Sequence, residues 1–192
     1  MAHKEILFHT EAREKVLRGT KALADAVRVT LGPRSKSVLM QKRFGSPVVC
    51  DDGVTIAKEV VLEDPAENLG AQILRQAAVK TGDGVGDVTS TATLLAHEIF
   101  ADGTRNIVAG ASGVEIKRGL ERGLSAAKRA LEELSEPVRT RTEKAQVAAI
   151  SAHNDLAVGE MIAEAMERVG DDGIVSLEES RTTETTLDVV EG

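Results

Sequence analysis

The chain has 192 residues, 42% apolar and 29% charged, the make-up of a soluble globular protein of one or two domains. Its only aromatics are Phe8, Phe44 and Phe100, and 31 acids outweigh 24 bases for a net charge of −7. Such a chain has neither the aromatic platforms that stack single-stranded nucleic acid nor the bulk charge that collects polyanions. Cys50 is the single cysteine, so no internal disulfide can form and a reducing, cytoplasmic compartment is expected. The longest stretches without Asp, Glu, Lys or Arg are Val88–His97 and Ala145–Asn154, too short for a membrane span, and Ile6-Leu7-Phe8 is too short for a signal-peptide core.

In chain order, Lys4–His9 reads as a short strand that needs a partner, one that another chain could supply. Thr10 is the expected cap of a long helix with apolar residues at Ala12, Val16, Leu17, Leu23, Ala24, Val27 and Leu31, stopped by Gly32-Pro33. Ser37–Gln41 and Pro47–Cys50 form a predicted hairpin around Lys42–Ser46, and an isolated hairpin must lie on another surface. Asp51-Asp52-Gly53 opens a short helix through Val61. Asp64-Pro65-Ala66-Glu67 starts the next, with Asp64 as cap, Pro65 in the first turn and Glu67 placed to complete a capping box. Its predicted inner stripe is Leu69, Ile73, Leu74, Ala77 and Ala78, and it is expected to run out at the glycine-rich stretch Thr81–Asp87. The helix after Thr89–Thr93 should turn Leu95, Ile99 and Phe100 inward. Ser112-Gly113-Val114-Glu115 reads as a capping box ahead of the stripe Ile116, Leu120, Leu124, Ala127, Leu131 and Leu134. Glu136–Arg141 looks like a boundary; helices Glu143–Ala152 and Leu156–Val169 follow, and then a strand pair, Ile174–Glu178 with Thr186–Val190.

The segment with most chemistry is Gly82–Thr93. Alternate glycines let backbone N–H groups approach an anion, a new helix presents its positive end, and Thr89, Ser90 and Thr91 add hydroxyl donors. Asp87 is a hard oxygen ligand suited to Mg2+ shared with phosphates. The stretch lacks the Gly-Lys-Ser/Thr of a P-loop, and on local pattern alone an ordinary helix–loop–helix joint explains it as well. Thr30-Leu31-Gly32-Pro33 is a glycine turn that a helix stop alone accounts for. Asp51-Asp52-Gly53 could hold a metal or polarise a water, or simply turn and cap. His3, His9, His97 and His153 show no zinc-ligand spacing with Cys50, and His153-Asn154-Asp155 reads as a turn between helices.

Together the segments resemble the N-terminal part of a type I chaperonin of the Hsp60/GroEL family. The resemblance rests on Leu23–Pro33, Asp52–Glu59, Leu62–Pro65 with Glu67-Asn68, Gly86-Asp87 with Thr89–Thr93, Lys117-Arg118-Gly119, Ile150-Ser151-Ala152 and Leu187–Gly192. It implies a mainly α architecture: the N-terminal first half of a multihelical, equatorial-type ATP-binding domain, with a β-hairpin, over residues 1–135. The first half of a small α+β intermediate hinge domain would cover 136–190, and the apical domain would begin at 191–192. Carried over residue by residue, Thr30, Leu31, Gly32 and Pro33, with Asp51, Gly53, Gly86, Asp87, Val88, Thr89, Ser90 and Thr91, would line ATP. Asp87 would hold Mg2+, with potassium as an accompanying ion, and Asp52 would face the γ-phosphate and the attacking water. The implied partners are neighbouring subunits of a homo-oligomeric ring, joined through the N-terminal strand and the 37–50 hairpin, unfolded client proteins and a co-chaperonin, with no role for nucleic acid or membrane.

The chain departs from the family pattern in three ways. Val88 stands where the motif has glycine, and a β-branched residue there is expected to weaken nucleotide binding. Asp51 replaces the usual Lys or Asn and adds negative charge near a triphosphate. The sequence also stops before the apical domain, the returning half of the hinge domain with its catalytic acid, and the rest of the equatorial domain, so these residues alone are expected to hydrolyse no ATP. The competing reading is a truncated or degenerate, non-hydrolysing chaperonin-like interaction protein.

Overall fold

The computed structural model describes residues 6–41, 45–170, 173–178 and 185–190. Among them are the helices α1 (His9–Arg28), α2 (Gly53–Glu59), α3 (Pro65–Val85), α4 (Thr89–Val108), α5 (Gly113–Leu134), α6 (Arg141–Ser151) and α7 (Leu156–Val169). Strands β1 (Val38–Met40) and β2 (Val48–Cys50) pair antiparallel, with Val38 opposite Cys50 and Met40 opposite Val48. The chain divides into two compact units, residues 1–124 and 125–192.

In the first unit, α1 and α3 cross backbone to backbone. A Cβ on Gly19 would collide with the Glu67 carbonyl oxygen, and a Cβ on Gly70 would collide with the Val16 carbonyl. Two glycines facing each other's helix let the axes approach closely enough to bury small residues. The core follows from this: Leu23, Ala24 and Val27 of α1, Ile56 and Ala57 of α2, and Ala71, Leu74 and Ala78 of α3. Val38, Met40 and Cys50 of the hairpin pack against that cluster, so the hairpin has the support it required. Ion pairs fix the register of the helices: Lys15 to Asp64 at 2.8 Å, Arg18 to Glu67 at 2.7 Å, and Arg28 to Glu98 of α4 at 2.7 Å.

The close approach changes which faces are buried. α3 buries Gly70, Ala71, Leu74 and Ala78, while Leu69 and Ile73 of the predicted stripe are about half exposed. α4 buries Thr89, Thr93 and His97 instead of Leu95 and Ile99, which face outward. On α3 small side chains win because larger ones would hold it away from α1; on α4 the buried Thr93 hydroxyl and His97 imidazole find partners in the Thr89 carbonyl and Thr20. The stripe of α5 exists as read, yet no residue of that helix is buried.

Several boundaries also differ from expectation. α1 starts at His9, with Phe8 at the cap position and Thr10 already helical, and it ends at Arg28, ahead of Gly32-Pro33. Ile6–Phe8 is not a strand, and Lys4 and Glu5 lie outside the described residues, as do Lys42–Phe44 of the hairpin loop. α3 runs through Gly82 and Gly84 to Val85 instead of dissolving at Thr81. A Cβ on Gly82 would only touch Thr89 Cγ2 at 3.5 Å and Val54 Cγ2 at 3.6 Å, so that turn is packed, and Gly86, at φ +79°, is what breaks the helix. Asp64 caps α3 as expected, but the Glu67 carboxylate goes to Arg18. Glu115 likewise takes Arg118, at 2.7 Å.

One buried polar pair lies between α1 and α4. Thr20 Oγ1 donates to the Leu17 carbonyl at 2.9 Å and lies 3.2 Å from His97 Nδ1, which assigns the Nδ1 proton to His97. Burial pushes the His97 pKa down. The unfolded imidazole therefore binds a proton at a pH where the folded one does not. Its contribution to stability is complete above the ordinary histidine value and is lost as pH falls through it toward the folded value. Lowering the pH from 7.5 to 5.5 should reduce the unfolding midpoint in urea more for the natural chain than for His97→Gln. Parallel losses in the two proteins would show that His97 is not the sensitive group.

In the second unit, α6 and α7 pack through Gly159, where a Cβ would lie 2.5 Å from the Ala145 carbonyl oxygen and 2.7 Å from Ala149 Cβ. Thr140 and Glu143 form a complete capping box on α6, and Asp155 caps α7 through the amides of Ala157 and Val158. The turn between them is the predicted one, with His153 and Asn154 both left-handed. Gly170, at φ +74°, ends α7. Residues 173–178 and 185–190 form no strand, contrary to the expected pair, and Ile174, Leu177 and Val190 are exposed. A two-stranded ribbon with no apolar face to cover has little to hold it. Glu191 and Gly192 lie outside the described residues.

Candidate functional site

Three chain reversals meet at one end of the first unit. The first follows α1. Thr30 Oγ1 donates back to the Val27 carbonyl at 2.8 Å, Gly32 takes φ +87°, and the amides of Ser35 and Lys36 close on the carbonyls of Gly32 and Val29. The second is the start of α2. Asp52 is its N-cap, and its Oδ2 accepts from the Thr55 amide at 2.9 Å and from Thr55 Oγ1 at 2.6 Å. The third is the passage from α3 to α4 through Gly86, Asp87 and Val88.

Side chains tie these reversals together. Thr30 Oγ1 and Ser90 Oγ are 3.3 Å apart across sixty positions of sequence. Gly53 is buried directly against Ser90: a Cβ there would strike Ser90 Oγ and come within 2.9 Å of Ser90 N and Cα. Thr89, itself buried, lies near the Asp52 carboxylate and helps to hold its charge. Burial pushes the Asp52 carboxyl up, but the hydrogen bonds from Thr55, from the Val54 amide and from Thr89 outweigh it and hold the group below its ordinary value. Asp52 is therefore ionised throughout the neutral range, and its carboxylate stays solvent-exposed.

The glycine-rich stretch contributes differently from the sequence reading. Gly82 and Gly84 are helical and do not cradle anything. The useful donors come from α4, whose N-cap, Val88, provides no side-chain hydrogen bond. The first-turn amides at Thr89, Ser90 and Thr91 thus have no capping side chain, and they carry the positive end of the helix dipole. Val88 itself adopts φ +55°, ψ +22°, so its β-branched side chain accepts the angles a glycine would take; they are strained, not forbidden. Asp87 is exposed, and its Oδ1 accepts from the Val88 amide at 2.6 Å. Its remaining lone pairs suit a hard cation that also binds phosphate and water, and no cluster of three or more His, Cys, Asp or Glu ligands exists among the described residues.

The structure thus gathers Thr30, Asp52, Gly53, Thr89 and Ser90. Leu31, Gly32 and Pro33 extend the first turn, Asp51 precedes the Asp52 cap, Gly86, Asp87 and Val88 form the third, and Thr91 lies exposed in the first turn of α4. The reading of residues missed Thr55, which fixes the Asp52 carboxylate. An acid at an N-cap with a hydroxyl three residues on was the available signal.

Known proteins match along nearly the whole chain. The sequence model of the TCP-1/cpn60 chaperonin family fits residues 23–192. "Chaperonin GroEL 5" of Bradyrhizobium diazoefficiens is 66% identical over all 192 residues, which span 36% of that protein. The solved structure "Crystal structure of group III chaperonin in the open state" superposes with a TM-score of 0.69 at 28% identity, covering 84% of this chain and 32% of that one. The chain thus spans about a third of the length of the relatives it matches. The match is to the N-terminal part of such a subunit, and the chain belongs to the TCP-1/cpn60 chaperonin family.

Proposed function

We propose that this chain is the nucleotide-binding part of an ATP-dependent chaperonin subunit, working in the cytoplasm within a homo-oligomeric ring that folds client proteins with a co-chaperonin. The observation that carries the reading is the junction of Thr30, Gly53 and Ser90. It brings a glycine turn, a capping carboxylate and an uncapped helix start to one place. Phosphate oxygens would take the free amides at Thr89–Thr91 and the hydroxyl of Ser90 or Thr30. Bound Mg2+, held by Asp87 and accompanied by potassium, would neutralise charge that builds on the phosphates. Asp52, ionised and fixed by Thr55 and Thr89, would orient the attacking water and accept its proton. The exposed carboxylate of Asp51 would work against the triphosphate charge.

The test is calorimetry of Mg-ATP on the natural protein and on Asp87→Ala. Binding should be present in the first and at least tenfold weaker in the second, a loss of about 1.4 kcal/mol or more. Equal affinities would remove Asp87 from the site, and no binding to either protein would sink the nucleotide reading.

A further inference from the structure

We propose that Val88 regulates this site by keeping its phosphate-binding turn partly open when no ligand is bound; the inference rests on the nucleotide reading above. Val88 is a β-branched residue in the left-handed region, at φ +55°, ψ +22°. Such a residue crowds its own Cβ against the backbone. Strain of this kind persists only where the surroundings impose it. Here backbone bonds lie on both sides of Val88, and its own side chain makes none of the holding bonds. Val88 is 54% exposed, so packing covers only part of it, and its side chain gives α4 no cap bond. What holds the turn after it is the Ser90 hydroxyl beside Thr30 and the Ala92 amide, which closes the first helical turn on the Val88 carbonyl at 3.0 Å. Before it, the Asp87 carboxylate is tied to the Val88 amide.

Releasing Val88 into the right-handed or extended region relieves the crowding. It also breaks the Ala92–Val88 bond and turns the first-turn amides away from a common point. The ligand-free chain therefore divides its time between a strained, binding-competent turn and a relaxed, incompetent one. A phosphate group held by those amides selects the first, and the apparent affinity falls by the competent fraction.

The experiment uses the natural protein with Val88→Gly and Val88→Ala. Glycine removes the left-handed penalty; alanine removes the isopropyl bulk but keeps a Cβ in the same conformation. Without ligand, hydrogen exchange of peptides containing Ala92 should slow by about three- to tenfold in Val88→Gly, and by less than half of that gain, on a logarithmic scale, in Val88→Ala. Calorimetry should show Mg-ATP binding tightened by a similar factor in Val88→Gly. Unchanged exchange at Ala92 in Val88→Gly would overturn the strain. Slower exchange with unchanged affinity would overturn the regulation, because the turn would then be fully formed before binding. Equal gains in both variants would assign the effect to bulk and overturn the proposal as well. Slower exchange with no heat in any of the three proteins would leave the strain standing and overturn the nucleotide reading, together with the regulation built on it.

Discussion

Replacing Gly19 or Gly70 by alanine should cost about 3 kcal/mol or more of stability, out of the 5–15 kcal/mol typical of a folded domain. Each glycine faces the backbone of the other helix, and a backbone carbonyl cannot rotate aside as a side chain would. A Cβ on Gly19 meets the Glu67 carbonyl oxygen and lies 3.1 Å from the Ala71 amide nitrogen; a Cβ on Gly70 meets the Val16 carbonyl and lies 3.0 Å from Val16 Cα. Relief requires α1 and α3 to separate, which uncovers Leu23, Ala24, Ala71 and Leu74 together and lengthens the Lys15–Asp64 and Arg18–Glu67 pairs. Gly119 and Gly123 supply the contrast. They lie within α5 with open space where a Cβ would go, so alanine there should stabilise by roughly 0.5–1 kcal/mol through helix propensity. Urea unfolding followed by circular dichroism reads both results. A loss at Gly19 no larger than about 1 kcal/mol would mean that the α1–α3 crossing is looser than described.

In a subunit that also carries the returning half of the hinge domain with its acid, changing Asp52 to Asn should lower ATP turnover by about 10²–10⁴-fold while affecting nucleotide binding far less. Asparagine still caps α2, accepting from the Thr55 amide through its carbonyl oxygen, so the helix start survives. What disappears is the charge and the basic oxygen. The Thr55 and Thr89 hydroxyls hold the natural carboxylate below its ordinary pKa, so its charge should persist as pH falls through the usual carboxylate range. Turnover limited by this group should hold down to that range and fail below it. Single-turnover phosphate release against pH, beside binding calorimetry, separates the two effects. Undiminished release in Asp52→Asn would take the water-orienting role away from this residue. Unlike Gly19, Asp52 is predicted to affect chemistry and not folding, so its unfolding midpoint should stay near that of the natural chain.

Sequence alone determined the helical character of this protein and most of its punctuation. Asp64-Pro65, Thr140 with Glu143, and the turn at His153-Asn154-Asp155 are local devices, each complete within a few residues, and each appears where its residues require it. The resemblance to the chaperonins was likewise a property of ordered residues, and it marked Thr30, Asp52, Gly53, Thr89 and Ser90 before any geometry was in hand. Tertiary structure decided which faces are buried. Apolar periodicity favoured Leu69, Ile73, Leu95 and Ile99, yet α3 buries Gly70 and Ala71, small enough for its glycine crossing with α1, and α4 buries Thr89, Thr93 and His97, the last two with hydrogen-bond partners in the Thr89 carbonyl and Thr20. It decided the fate of the glycines as well. Gly82 and Gly84 read as a loop, but both are helical, Gly82 packed against Val54 and Thr89, and Gly86 makes the break. The Thr30–Ser90 contact and the Thr20–His97 pair join residues 60 and 77 positions apart. No local pattern encodes them; they exist because α1 and α4 lie side by side, and that arrangement is a consequence of the whole core.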